Sequence, residues 1–147
     1  MTTLSVDKSR AYQLGNHEEY PAIAADIIYE GAAVGENGSG YSRPLQAGDP
    51  FQGFCLETAD NAAGSAGDIR VRVVTKGRIE LPVTAAAITT NDRAPVYASD
   101  DDTFTLTRGT NSLIGFVSRW VSTGVAVVEF DAALAAAHES AIAIATA

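Results

Sequence analysis

The stretch Ile69-Arg70-Val71-Arg72-Val73-Val74-Thr75-Lys76-Gly77-Arg78-Ile79-Glu80-Leu81-Pro82-Val83 decides the fold class of this chain. Apolar residues at 69, 71 and 73 alternate with Arg70 and Arg72, and those at 79, 81 and 83 alternate with Glu80 and Pro82. A period of two sends successive side chains to opposite faces of a pleated strand, so each half reads as a half-buried β-strand. The intervening Thr75-Lys76-Gly77 predicts a hairpin. A two-residue turn at Lys76-Gly77 would set Val73 against Glu80 and mix the faces. A three-residue loop with Gly77 in the left-handed region pairs Val73 with Ile79, Val71 with Leu81 and Ile69 with Val83, and sets Arg72 opposite Glu80 on the wet face. A one-residue slip would turn every side chain to the wrong face, so the three-residue loop is preferred.

Outward from this hairpin, short β-rich runs are expected at 26–34, 51–58, 95–98, 103–107, 113–118 and 125–130. They are separated by turn residues such as Gly35-Glu36-Asn37-Gly38-Ser39-Gly40, Asp60-Asn61-Ala62-Ala63-Gly64, Arg108-Gly109-Thr110-Asn111 and Ser122-Thr123-Gly124. Thr84 is placed to cap a short helical turn over Ala85-Ala86-Ala87. The pattern predicts a mainly β chain: a small barrel, β-tulip or sandwich over residues 25–131, with at most one or two short helices. Residues 1–24 read as an extended N-terminal arm. Residues 132–147 form an Ala-rich tail, which either docks as a short helix through Leu134 and Ile142 or frays.

Composition limits the partners. Eighteen acidic residues against ten basic ones give a net charge of −8, and Lys8 and Lys76 are the only lysines among the 147 residues. A protein that neutralises phosphates needs clustered Lys and Arg, so direct nucleic-acid binding is not expected. No apolar run approaches the roughly 20 residues of a membrane helix, and the N-terminus lacks the pattern of an export signal; no membrane partner is expected. Cys55, alone in an apolar run, reads as a buried structural residue.

The residues that could carry catalysis are scattered. His17 and His138 fall in the arm and the tail, away from any rigid pocket that could orient a general base. Asp100-Asp101-Asp102 reads as a solvated turn, because consecutive carboxylates point apart and no spaced calcium loop follows. The glycines at 35–40 lack the Lys of a phosphate loop. The chain is therefore expected to be no enzyme, with no catalytic, cofactor-binding or metal-binding residues and no cofactor.

Exposed apolar groups then become the informative ones. Tyr12, Leu14, Tyr20, Pro21 and Ile23 make the arm too apolar for a solvating tail and too irregular for its own core. Such a segment orders against a neighbour, or folds back onto its own barrel. Arg119 and Trp120 stand beside the turn at 122–124, where Trp120 either covers the bottom of a core or anchors an interface.

Residues 28–131 resemble the capsid cement, or head decoration, proteins of tailed bacteriophages. The resemblance runs in order through the Gly-rich strand segment at 28–34, then Gly48-Asp49-Pro50-Phe51-Gln52-Gly53-Phe54, then Lys76-Gly77-Arg78-Ile79-Glu80-Leu81-Pro82. It continues through Ala94-Pro95-Val96-Tyr97 before an acidic turn, Leu113-Ile114-Gly115-Phe116-Val117, and a final Gly-Val-Ala-Val-Val-Glu-Phe at 124–130. Arg119-Trp120-Val121 departs from the small, Ala-rich turn usual there, and the arm and tail lie outside the resemblance. It implies a homotrimeric structural virion protein on the outer capsid surface, made in the bacterial host cytoplasm, that stabilises the shell by bridging neighbouring major capsid proteins. A small β-barrel module binding a ligand or glycan through Trp120 and the tyrosines is the alternative. An enzyme using Asp100, Asp101 or Asp102 with Glu57 has only the presence of carboxylates in its favour.

Overall fold

Thr75 is the residue at which the chain changes sheets. The computed structural model describes residues 5–11, 13 and 15–146. In it β7 (Arg70–Val74) and β8 (Lys76–Thr84) are both strands, with Val71, Val73, Leu81 and Val83 buried, but they do not pair with each other. The Thr75 N–H donates to the Asn16 carbonyl at 2.9 Å, whereas its carbonyl accepts the Ala132 N–H at 2.9 Å. Its two backbone groups thus belong to different neighbours, and the expected hairpin is replaced by a crossing between sheets. The physical reason is burial: each inward row meets a complete core of its own, which a two-stranded ribbon could not supply. Gly77 lies inside β8, opposite Phe130, at a φ of 155° that other residues rarely adopt; the Phe130 ring would lie at ordinary contact distance from a β-carbon there. Arg72, expected opposite Glu80, instead faces Glu19 and Glu57 at 3.6 and 3.9 Å.

The first sheet runs β1 (His17–Pro21), β7, β5 (Phe51–Cys55), β3 (Ala33–Glu36) and β4 (Ser42–Pro44). It curls until its ends meet, with Ala22 bridging Ser42 and the Ile23 N–H donating to the Ser42 carbonyl at 2.8 Å. A two-stranded ribbon, β2 (Ile27–Ile28) and β6 (Ala59–Asp60), adds Ile28 and Ala59 to the core of this sheet. From His17 onward, therefore, the segment expected as an extended arm is built into the fold. The second sheet is a closed barrel in the order β10 (Thr103–Thr105), β8, β12 (Val125–Asp131), β11 (Ser112–Ser122) and β9 (Pro95–Asp100). The fold is thus mainly β, as expected. The helical turn expected at 85–87 begins later, as a 3-10 turn over Ile88–Asp92, because Ala85 takes a left-handed φ of 70°.

An aromatic cluster joins the two sheets. An extra residue in β5 opposite β3 shifts the register around Gly53, so Phe51 and Phe54 both face the barrel while Cys55 faces the other core. The Phe54 ring lies 4.8 Å from Phe130 and 6.0 Å from Phe104, and Phe51 lies 6.3 Å from Phe130. Two backbone contacts add to this: the Ala33 N–H donates to the Asp101 carbonyl at 2.9 Å, and Gln46 bridges Asp100.

Candidate interaction surface

Two of the expected contact residues, Tyr12 and Leu14, lie outside the described residues. Tyr20 and Pro21 are half-buried on β1, and Ile23 is half-buried at the bridge to β4. Tyr20 packs against the core of the curled sheet, and burial first, then the Glu18 charge, raises its phenol above the ordinary tyrosine range. These three residues therefore hold the chain to its own sheet. Ahead of them, residues 5–11 are exposed, with Val6 at 75%.

Arg119 and Trp120 stand on β11, where register shifts on either side of them re-aim the strand against β12. Arg119 is exposed. Trp120 is half-buried; its ring packs against the barrel core and its backbone N–H donates to Asn91 Oδ1 at 2.7 Å. Its indole N–H is buried and has no partner. Of the two readings of Trp120, covering the core describes its position. The structure thus puts the arm residues on one sheet and the Arg119–Trp120 pair on the other.

Asp100-Asp101-Asp102 forms the tight link between β9 and β10, closed by the Asp102 N–H on Asp100 Oδ1 at 2.8 Å. Burial first, then the Asp100 charge, raises the Asp101 carboxyl above its ordinary range. Glu57 lies elsewhere, beside Arg72. His17 is exposed at the sheet edge, and His138 stacks edge-on against Phe116 at 6.1 Å. Cys55 is buried; its thiol donates to the Glu57 carbonyl at 3.1 Å, and burial pushes its pKa up. Among the described residues no group of three or more His, Cys, Asp or Glu is arranged to hold a metal ion, and no helix is long and apolar enough to cross a membrane.

The feature the sequence reading missed is a cleft of about 420 Å³ under the terminal helix α1 (Ala132–Thr146). Asp131 caps this helix by accepting the Leu134 N–H at 3.1 Å. The helix docks through Ala135, which is buried against Tyr97 and Leu113, whereas Leu134, one of the expected anchors, is 51% exposed. A methyl side chain lets the helix axis approach the barrel more closely than a leucine would, and Ala135 is one position past Leu134 on the helical wheel. The cleft's floor is Phe51, Leu113 and Ala135, and its rim carries Asp49, Arg108 and Glu139.

Most of that rim is internally satisfied. Asp49 accepts two bonds from Arg43, at 3.0 and 2.8 Å, and one from the Gln46 N–H at 3.0 Å. Those bonds, offsetting its own desolvation, hold the Arg43 guanidinium more firmly protonated than usual. Ser112 Oγ donates to the Asp49 carbonyl at 2.6 Å and accepts the Gly48 N–H at 3.1 Å. Glu139 differs. Its Oε2 lies 3.4 Å from Arg108 Nη2, but its Oε1 is buried and has no partner. Residues drawn from 48–51, 108–113 and 135–140 meet here only through tertiary packing, so no sequence spacing announced them.

Comparison with known proteins finds no family model, curated protein or solved structure that matches this chain.

Proposed function

We propose that this chain is a structural virion protein that binds the outer surface of a tailed-phage capsid as a homotrimer and stabilises the shell by bridging neighbouring major capsid proteins. One observation carries this reading. The resembling motifs at 76–82, 94–97, 113–117 and 124–130 fall on or beside β8, β9, β11 and β12, four of the five strands of the closed barrel, while those at 28–34 and 48–54 fall on or beside the curled sheet and its ribbon. The larger share of the resemblance thus follows consecutive neighbours of one barrel, in the order β8, β12, β11 and β9. The acidic, mainly β surface suits a protein that acts by many repeated weak contacts, each adding to the avidity of the whole.

The decisive experiment mixes the purified chain with empty, expanded heads of the phage that encodes it, after their own decoration protein has been stripped. Co-sedimentation at a fixed ratio, with a higher temperature of head rupture, is the expected result. Absence from the shell pellet at micromolar concentration overturns the reading. The arm is best probed by deleting residues 1–11. A deletion reaching residue 20 would remove most of β1 and unfold the sheet edge, confusing lost binding with lost structure.

A further inference from the structure

The cleft under α1 contains one unmet demand. Glu139 Oε1 is buried without a donor, although the neighbouring Asp49, Ser112 and Asn111 all have partners within the chain. The Glu139 side chain is 40% exposed and its other oxygen faces Arg108, but this one oxygen is shielded and lacks a donor within the chain, so the site favours an incoming N–H. Beneath it, Phe51, Leu113 and Ala135 form an apolar floor of the kind on which the stem of a lysine or arginine lies while its charged head reaches a carboxylate.

The chain carries a matching supply. Residues 5–11 are exposed and, among the described residues, make no hydrogen bond or ion pair with the rest of the molecule. Lys8 and Arg10 stand two apart, on one face of an extended segment, and with Asp7 leave it one positive charge. On a chain of net charge −8 that segment is drawn to, not repelled by, another copy. None of its residues lines the cleft of its own chain.

We propose that the cleft beneath α1 is the docking site for residues 5–11 of a second copy of this chain, with Lys8 or Arg10 seated on the Glu139 carboxylate. The contact completes the Glu139 hydrogen-bonding set and links copies arm to cleft. It does not depend on shell binding, so the two proposals fail separately.

Disulfide trapping in the full-length protein tests it. Ala11→Cys is combined with Ser140→Cys, both at exposed positions, and the oxidised product is run without reductant. Linked dimers or higher species at micromolar concentration are the expected result. A fast-migrating monomer, closed within one chain, overturns the second copy as occupant, and no crosslink overturns the site. Glu139→Gln keeps the side chain's shape and removes its charge. In the trapping background it should lower the yield about tenfold, the worth of a charge-assisted bond. Reversing both sides, Glu139→Lys with Lys8→Glu and Arg10→Glu, should restore it. A yield unmoved by Glu139→Gln and by 0.5 M salt overturns the role of Glu139.

Discussion

The closed barrel and the curled sheet bury the same kind of alternating strand with different materials. The barrel core holds Phe104, Phe130, Ile114, Leu81 and several valines, and closure leaves its strands no open edge. The curled sheet's core is Ala22, Ile28, Ala32, Val34, Cys55, Ala59, Val71 and Val73, with Tyr20 only at its rim. Its edges are managed singly. Pro21 ends β1, Pro44 ends β4, and the Glu18 carboxylate accepts the Glu19 N–H at 3.1 Å, occupying an amide that could otherwise receive another strand. One half is stabilised by volume and closure, and the other by small side chains and blunted edges. The curled half therefore depends on its neighbour, and Phe51 and Phe54, which it contributes to the barrel core, are the means.

Phe54 is where this contrast breaks most readily. Phe54→Ala removes the ring that contacts Phe51, Phe104 and Phe130, and should cost about 3–5 kcal/mol. The chain has one Trp and one Cys, each buried or half-buried in a different half. Trp120 fluorescence reports the barrel, and the alkylation rate of Cys55, suppressed by burial, reports the curled sheet. In the unmodified protein the two denaturation curves should coincide. In Phe54→Ala the thiol should become reactive at lower denaturant than the fluorescence changes. Coincident curves in the variant would mean that the halves are coupled by something other than this cluster.

Arg43→Ala sharpens the contrast at the sheet edge. It leaves the Asp49 carboxylate, 9% exposed, with only the Gln46 amide and no cation. The cost should be about 2 kcal/mol, less than for a fully buried pair because the Arg43 side chain is 23% exposed. Thermal unfolding followed by circular dichroism would measure it. An unchanged melting temperature would show that Asp49 is hydrated, not held.

The smallest effect belongs at the junction. The Asp101 carboxyl is raised, so the folded state binds its proton more tightly than the unfolded state does. Stability from this group is present at low pH and is lost as pH rises from the ordinary Asp value, about 3.9, through the raised one. Asp101→Asn should therefore be slightly more stable than the parent at pH 7, with the gap closing below about pH 4. Partial exposure keeps the difference small. A variant less stable than the parent at pH 7 would show that the carboxylate has a favourable partner.

Much of the fold could be read along the chain. Period-two alternation placed β7 and β8 on their inward residues, because strand periodicity is local and survives whatever pairs with it, and β-rich composition marked the runs that became β9 and β12. Cys55 was legible as buried for the same reason, standing in a continuous apolar run. Pairing was not legible. The hairpin around Gly77 satisfied every local rule, and only the existence of two cores separated β7 from β8. The arm left two readings open, ordering against a neighbour or folding back on its own chain, and Tyr20, Pro21 and Ile23 follow the second. The cleft left no trace in sequence, since Asp49, Arg108 and Glu139 look like ordinary surface charges until the helix brings them together.

By itself, then, the sequence determined that the chain would be made of short, half-buried strands and would carry an acidic surface, because alternation and charge are properties of neighbours along the chain. The tertiary structure decided at Thr75 which sheet each strand would join, and at Glu139 which carboxylate oxygen would be shielded without a donor while its twin faces Arg108. Both outcomes depend on groups distant in sequence competing for the same hydrogen bonds and the same dry space, and neither is encoded in any window of residues.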